Sequence, residues 1–127
     1  MHSRLLIVDD EEPILFALRE FFKASGYSVS CAREIEEAEA LLTNDHYDVV
    51  IADLRLTGTY GTEGLELVQF IKDRCPRVSV ILLTAYGSID IEARAKYLGV
   101  DRFLHKPLAL LDVARIVDEL VEKGRGA

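Results

Sequence analysis

Acidic residues directly follow two apolar runs of this sequence. Asp9 and Asp10 come after one run, and Asp53 ends another. An acid at the end of a buried run needs a partner or a metal ion to offset the cost of burying its charge. Two later apolar runs are followed by a hydroxyl, on Thr84, and by an ammonium, on Lys106. If the ends of these runs meet in the fold, the sequence places carboxylates, a hydroxyl and one cation in a single site.

The chemistry of such a site depends on its positive charges. Three carboxylates brought together raise one another's pKa values unless cations intervene, and Lys106 supplies one ammonium. Mg²⁺ prefers oxygen ligands, often one or two carboxylates with water and phosphate oxygens, which suits an Asp-rich site without His or Cys. A carboxylate nucleophile, a metal ion, and Thr84 and Lys106 as donors to phosphate oxygens are close to what phosphoryl transfer requires. The residues therefore predict a Mg²⁺-dependent phosphoryl-transfer site.

Five strand and helix pairs would position these side chains. Short apolar runs alternate with amphipathic stretches along the chain, which is the pattern of a parallel α/β sheet. The predicted strands cover residues 5–8, 27–31, 48–53, 78–83 and 101–104, and each is followed by a predicted helix. Pro13 suits the first turn of the first helix, Ser88 can cap the fourth, and Gly26 and Gly99 suit helix ends.

The polarity of the strands predicts their order. Strands buried on both faces are continuous apolar runs, so the first, third and fourth should be central and the more polar second and fifth should lie at the edges. The order 2-1-3-4-5 meets these constraints and gives a doubly wound, flavodoxin-like sheet. Its crevice lies at the carboxyl ends of the strands, near the switch between strands 1 and 3. The candidate site residues follow strands 1, 3, 4 and 5, where this crevice is expected.

Composition limits the classes of function. A length of 127 residues fits one domain, and a net charge of −7 disfavours nonspecific attraction to nucleic acid. The longest apolar runs are far shorter than the roughly 20 residues that span a bilayer. We therefore expect a cytoplasmic protein without a signal peptide or membrane contact. Cys31 and Cys75 show neither zinc-site nor disulfide-framework spacing.

Four motifs occur in order at the ends of the predicted strands: Ile7-Val8-Asp9-Asp10-Glu11, the run from Asp48 to Asp53, Leu83-Thr84-Ala85, and Phe103-Leu104-His105-Lys106-Pro107. Through them the sequence resembles the receiver domains of two-component response regulators. The likeness extends over residues 4–123. We expect one receiver domain in residues 1–127, with its core in residues 4–123 and a frayed tail at 124–127.

The resemblance implies a role for each acidic residue. Asp53 is implied to be the phosphoacceptor, which takes a phosphoryl group from a histidine kinase or a histidine phosphotransfer protein. Asp10 and Asp53 are implied to bind Mg²⁺ together with the backbone carbonyl of Arg55, and Asp9 to assist. Members of the family catalyse their own phosphorylation and dephosphorylation, without being dedicated enzymes.

The resemblance also implies a switch. Thr84 and Lys106 are implied to hold the phosphoryl oxygens, and Phe103, three residues before the lysine, to be the aromatic switch residue. A cis peptide before Pro107 is frequent in the family. The implied output surface consists of helix 4, strand 5 and helix 5, which can contact an output domain, a partner protein or a second copy of the chain.

The chain departs from the family pattern in the loop after Asp53, whose conformation the sequence does not predict. The loop at 57–64 is longer than is usual in the family, and Thr57 stands where Pro is frequent. A nucleotide-binding module on the same fold is disfavoured because no glycine-rich phosphate loop follows strand 1. A pseudo-receiver, an interaction module that phosphorylation does not regulate, is disfavoured because Asp53, Thr84 and Lys106 are all present. Phosphatases of the haloacid-dehalogenase type also form an aspartyl phosphate, but their DxDx[TV] pattern is missing here, since Leu54 and Arg55 follow Asp53.

Overall fold

Strands and helices alternate along the computed structural model, which describes residues 3–54, 63–85 and 89–126. The strands are β1 (Arg4–Val8), β2 (Ser28–Ala32), β3 (Val49–Asp53), β4 (Ser79–Thr84) and β5 (Arg102–His105). The helices are α1 (Glu12–Ala24), α2 (Ile35–Asn44), α3 (Glu63–Arg74), α4 (Ile89–Leu98) and α5 (Leu110–Gly126). The predicted strand and helix pairs are therefore confirmed within the described ranges.

The strands form one parallel sheet in the order β2-β1-β3-β4-β5. This confirms the predicted doubly wound, flavodoxin-like topology. The register pairs Val8 with Ala52 and Thr84 with His105, so the carboxyl ends of neighbouring strands are level with one another. The residues that follow β1, β3, β4 and β5 consequently leave the sheet at the same edge.

Each face of the sheet carries its own apolar layer. Alternate strand residues such as Leu6 and Val50 pack against α2, α3 and α4, whereas Leu5 and Val49 pack against α1 and α5. Successive side chains of a strand point to opposite faces, so β1, β3 and β4 must be apolar throughout to be buried on both. These two layers fix the central strands from both sides. No helix in the described residues is long and apolar enough to cross a membrane.

Two helices are followed by glycines whose backbone conformation favours a helix end. Gly26 and Gly99 have φ angles of 96° and 98°, in the region that favours glycine, just after α1 and α4. Helix α5 extends to Gly126, and the fraying expected at 124–127 stays a prediction. Leu120 and Val121 anchor the last turns of α5 in the core, and a helix extends readily from an anchored turn. The predicted cap at Ser88 lies outside the described residues.

We predict that Gly64→Ala destabilises the domain. A Cβ at Gly64 would lie 2.6 Å from the Cα of Leu54 and 3.0 Å from the carbonyl oxygen of Asp53, so the backbone beside the acidic site must shift. Urea unfolding should show a loss of about 1–3 kcal/mol, the usual cost of overpacking. Gly124→Ala is the control, because a Cβ there meets nothing within 4 Å. Equal stabilities of the two variants would show that α3 does not need this close approach.

Candidate functional site

Three carboxylates meet at the carboxyl end of the sheet. Asp9 follows β1 and is fully buried, Asp53 ends β3 and is 5% exposed, and Asp10 is exposed. One carboxylate oxygen from each residue lies within 4.8 Å of the others. The parallel pairing of β1 with β3 produces this cluster, since it makes the ends of the two strands level.

Lys106 is the cation at the centre of the cluster. Its Nζ donates hydrogen bonds to Asp53 Oδ2 at 3.0 Å, to Asp9 Oδ2 at 3.3 Å and to Glu11 Oε2 at 3.3 Å. The lysine side chain is only 10% exposed. Its backbone N–H donates to the Thr84 carbonyl at 2.8 Å, which attaches the segment after β5 to the end of β4. The Lys106–Pro107 peptide is cis.

Glu11 is a member of the site to which the sequence analysis gave no role. Its backbone N–H donates to Asp9 Oδ1 at 2.9 Å, and its carboxylate reaches Lys106. In the sequence, only the position of Glu11 directly after Asp9 and Asp10, at the end of an apolar run, indicated that it could belong to the site. Position alone does not say whether a long side chain turns toward the site or toward solvent.

Burial raises the pKa values of Asp9 and Asp10. The pKa of Asp9 rises to about 6, mainly through desolvation and further through the charge of Asp53, although the Glu11 N–H and Lys106 oppose the rise. Desolvation and the charge of Asp53 also raise the pKa of Asp10. Burial alone would lower the pKa of Lys106, but its hydrogen bond to Asp53 and the nearby carboxylate charges raise it. A further cation beside these carboxylates would oppose the rise in the pKa values of Asp9 and Asp10.

The donor set suits a hard divalent cation. Asp9, Asp10 and Asp53 offer oxygen ligands alone, which Mg²⁺ and Ca²⁺ prefer, and no thiolate or imidazole belongs to this group. The exposed position of Asp10 leaves an approach from solvent. The predicted backbone ligand, the carbonyl of Arg55, lies outside the described residues, as do loop residues 57–62.

Thr84 and Phe103 lie on adjacent strands between this cluster and the α4 side of the sheet. Thr84 is buried at the end of β4. Phe103 pairs with Leu82 across β4 and β5 and is half-buried against the apolar layer under α2, α3 and α4. Its ring packs edge to face with His105 at a centroid distance of 5.6 Å. The structure thus brings the two predicted switch residues onto neighbouring strands.

Comparison with known proteins finds a matching family model and similar sequences. The family model of the response regulator receiver domain matches residues 5–118. The response regulator protein PilR of Pseudomonas aeruginosa is 37% identical over 108 residues, which cover 85% of this chain and 24% of that protein. Sporulation initiation phosphotransferase F of Bacillus subtilis is 31% identical over 113 residues, 89% of each chain. The chain thus spans about a quarter of PilR and most of the second relative.

A solved structure shares the fold as well. The crystal structure of a response regulator protein from Burkholderia pseudomallei, with a phosphorylated aspartic acid, calcium ion and citrate, superposes with a TM-score of 0.83. Its sequence is 25% identical, and the match covers 98% of this chain and 71% of that one.

We predict that Asp9→Asn stabilises the metal-free protein, and more at pH 7.5 than at pH 4.5. Because the folded-state pKa of about 6 exceeds the ordinary 3.8, the folded state binds the proton more tightly. Stability due to this group is full below pH 4 and is lost as the pH rises through 6. The gain at pH 7.5 should be about 1–3 kcal/mol, measured by urea unfolding with a chelator present.

The control for this pH series is Asp73→Asn, which changes an exposed carboxylate at the far end of α3. It should have little effect at either pH. A gain for Asp9→Asn that does not grow with pH would mean that burial of the Asp9 charge does not cost the fold stability.

Proposed function

Because this chain belongs to the response regulator receiver domains, we propose that it is a switch controlled by phosphorylation of Asp53. The observation that carries the proposal is the contact of Lys106 Nζ with Asp53 Oδ2 at 3.0 Å inside a cluster of three carboxylates. A nucleophilic carboxylate beside a fixed ammonium has the groups that phosphoryl transfer needs. The donor is a histidine kinase or a histidine phosphotransfer protein.

Mg²⁺ is the proposed cofactor. Asp10 and Asp53 would hold it directly, with the backbone carbonyl of Arg55 as a further ligand and Asp9 assisting. When bound, the metal ion neutralises charge on the acceptor and on the phosphoryl oxygens. The Burkholderia pseudomallei relative contains both a phosphorylated aspartic acid and a calcium ion. It supports the proposal that one acidic site accepts a phosphoryl group and binds a divalent cation.

The proposed reaction is an in-line displacement at phosphorus. An oxygen of Asp53 forms the new P–O bond, the bond between phosphorus and the donor breaks, and the leaving group keeps that electron pair. Asp53 becomes a neutral acyl group bearing an anionic phosphoryl group. Lys106 then has phosphoryl oxygens to which it can donate instead of the Asp53 carboxylate, and the Thr84 hydroxyl can donate to another.

The proposed output surface consists of α4, β5 and α5. Phosphorylation draws Thr84 toward the phosphoryl group and lets the ring of Phe103 turn inward, which shifts a two-state equilibrium of this surface. The surface carries large apolar side chains in contact with solvent: Ile89 is 87% exposed and Tyr97 is 91% exposed. Such groups favour a protein partner, which we propose to be an output domain, a separate protein or a second copy of the chain.

We predict that acetyl phosphate with Mg²⁺ adds one labile phosphoryl group to the wild type and none to Asp53→Asn. The amide oxygen is too weak a nucleophile to form the acyl phosphate. Intact mass spectrometry measures the uptake, and peptide mapping locates it. Asp48→Asn, directly before the opposite end of the same strand, should label like the wild type. Labelling of Asp53→Asn at another residue would exclude Asp53 as the acceptor.

We also predict that Thr84→Ala accepts the phosphoryl group but does not transmit the change to the surface of α4, β5 and α5. One lost hydrogen bond should slow uptake by about tenfold at most, whereas the inward turn of Phe103 loses its trigger. Sedimentation and partner binding, with and without beryllofluoride and Mg²⁺, measure the response. Thr43→Ala, an exposed threonine on α2, is the control. A full response of Thr84→Ala would place the switch in another element.

A further inference from the structure

Glu11 occupies an unusual place between the site and the first helix. It is the N-cap residue of α1, yet its side chain makes no capping hydrogen bond. Its carboxylate contacts Lys106 at 3.3 Å instead, although the Glu11 side chain is 56% exposed. The backbone N–H of the same residue is held by Asp9. The side chain thus serves the acidic site rather than the helix end.

The three acceptors of Lys106 differ in what phosphorylation does to them. A lysine ammonium has three donors, and here they meet Asp9, Asp53 and Glu11. Asp53 loses its negative charge when it forms the acyl phosphate, and Asp9 is enclosed in the fold. Glu11 keeps its full charge and stands on the exposed side, from which a phosphodonor must approach. It therefore competes with the phosphoryl oxygens for Lys106.

We propose that Glu11 is a positioning residue that competes with the incoming phosphoryl group for the Lys106 ammonium and so slows phosphorylation. This inference rests on the proposed function, since it concerns the rate at which Asp53 is phosphorylated. Pairs in which one member is half exposed are weak, so removal of the Glu11 charge should raise the rate constant about two- to fivefold.

The test measures phosphorylation of the full chain by acetyl phosphate at saturating Mg²⁺, followed by mass spectrometry over time. Glu11→Gln keeps the shape of the side chain and removes its charge. Glu12→Gln is the matched control, because it removes the same charge one residue later, where the carboxylate pairs with Arg33 rather than Lys106. We expect Glu11→Gln to be faster than the wild type and Glu12→Gln to equal it. Equal rates for the wild type and Glu11→Gln, or equal acceleration by both variants, would overturn the role of Glu11.

A second comparison asks whether Glu11 acts through Lys106. In a Lys106→Ala background the gain from Glu11→Gln should disappear, because the group for which Glu11 competes is gone. An undiminished gain in that background overturns the proposal. If that background is too slow to follow, the salt series decides: the gain should shrink between about 0.01 and 1 M salt, as the screening length falls. A gain that salt does not change would point to a structural effect and overturn the proposal.

The outcomes separate this inference from the proposed function. A wild type that takes up no phosphoryl group contradicts the phosphorylation of Asp53, and the role of Glu11 fails with it. A wild type that is phosphorylated at Asp53 at the same rate as Glu11→Gln contradicts the role of Glu11 alone.

Discussion

The burial of two carboxylates beside a single ammonium is the constraint on which the site depends. Asp9 and Asp53 are almost fully enclosed, and the Lys106 side chain that faces both is itself 10% exposed. Removing charges from water is expensive unless they are paired, so these three groups must stay together as long as the sheet is intact. The pairing of β1 with β3 fixes the two acids, and the attachment of Lys106 to Thr84 fixes the ammonium.

This pairing also connects the site to the rest of the fold. Lys106 directly follows β5, and its backbone N–H is bonded to the end of β4. Phe103 lies three residues earlier on β5, in the layer under α4. In the proposed switch, a change in the partner of the Lys106 ammonium would act first on the ends of β4 and β5. A site at the edge of the sheet can therefore bias a surface formed by α4, β5 and α5 without a long chain of intermediate contacts.

Much of this fold follows from polarity alone. A strand covered by helices on both faces has to be apolar along its length, which identified β1, β3 and β4 as central. The observed order meets this constraint but does not follow from it alone. Strand ends are less certain, because they depend on individual ladder hydrogen bonds: the second strand, predicted at 27–31, is Ser28–Ala32. The contact of Glu11 with Lys106 could not be predicted, since it depends on the direction of a long side chain.

The four acids of the site differ in exposure: two are buried beside Lys106 and two face solvent. Asp9 and Asp53 are enclosed with Lys106, so the paired ends of β1 and β3 set their geometry. Asp10 and Glu11 are exposed, so their interactions are open to exchange with ions and incoming groups. In the proposed phosphorylation, the buried Asp9 and Asp53 would hold the geometry of the reaction, and the exposed Asp10 and Glu11 would affect its rate. A substitution at the rim can change the rate of the site without unfolding the sheet, whereas a change at the inner acids alters the charge balance of the buried cluster itself.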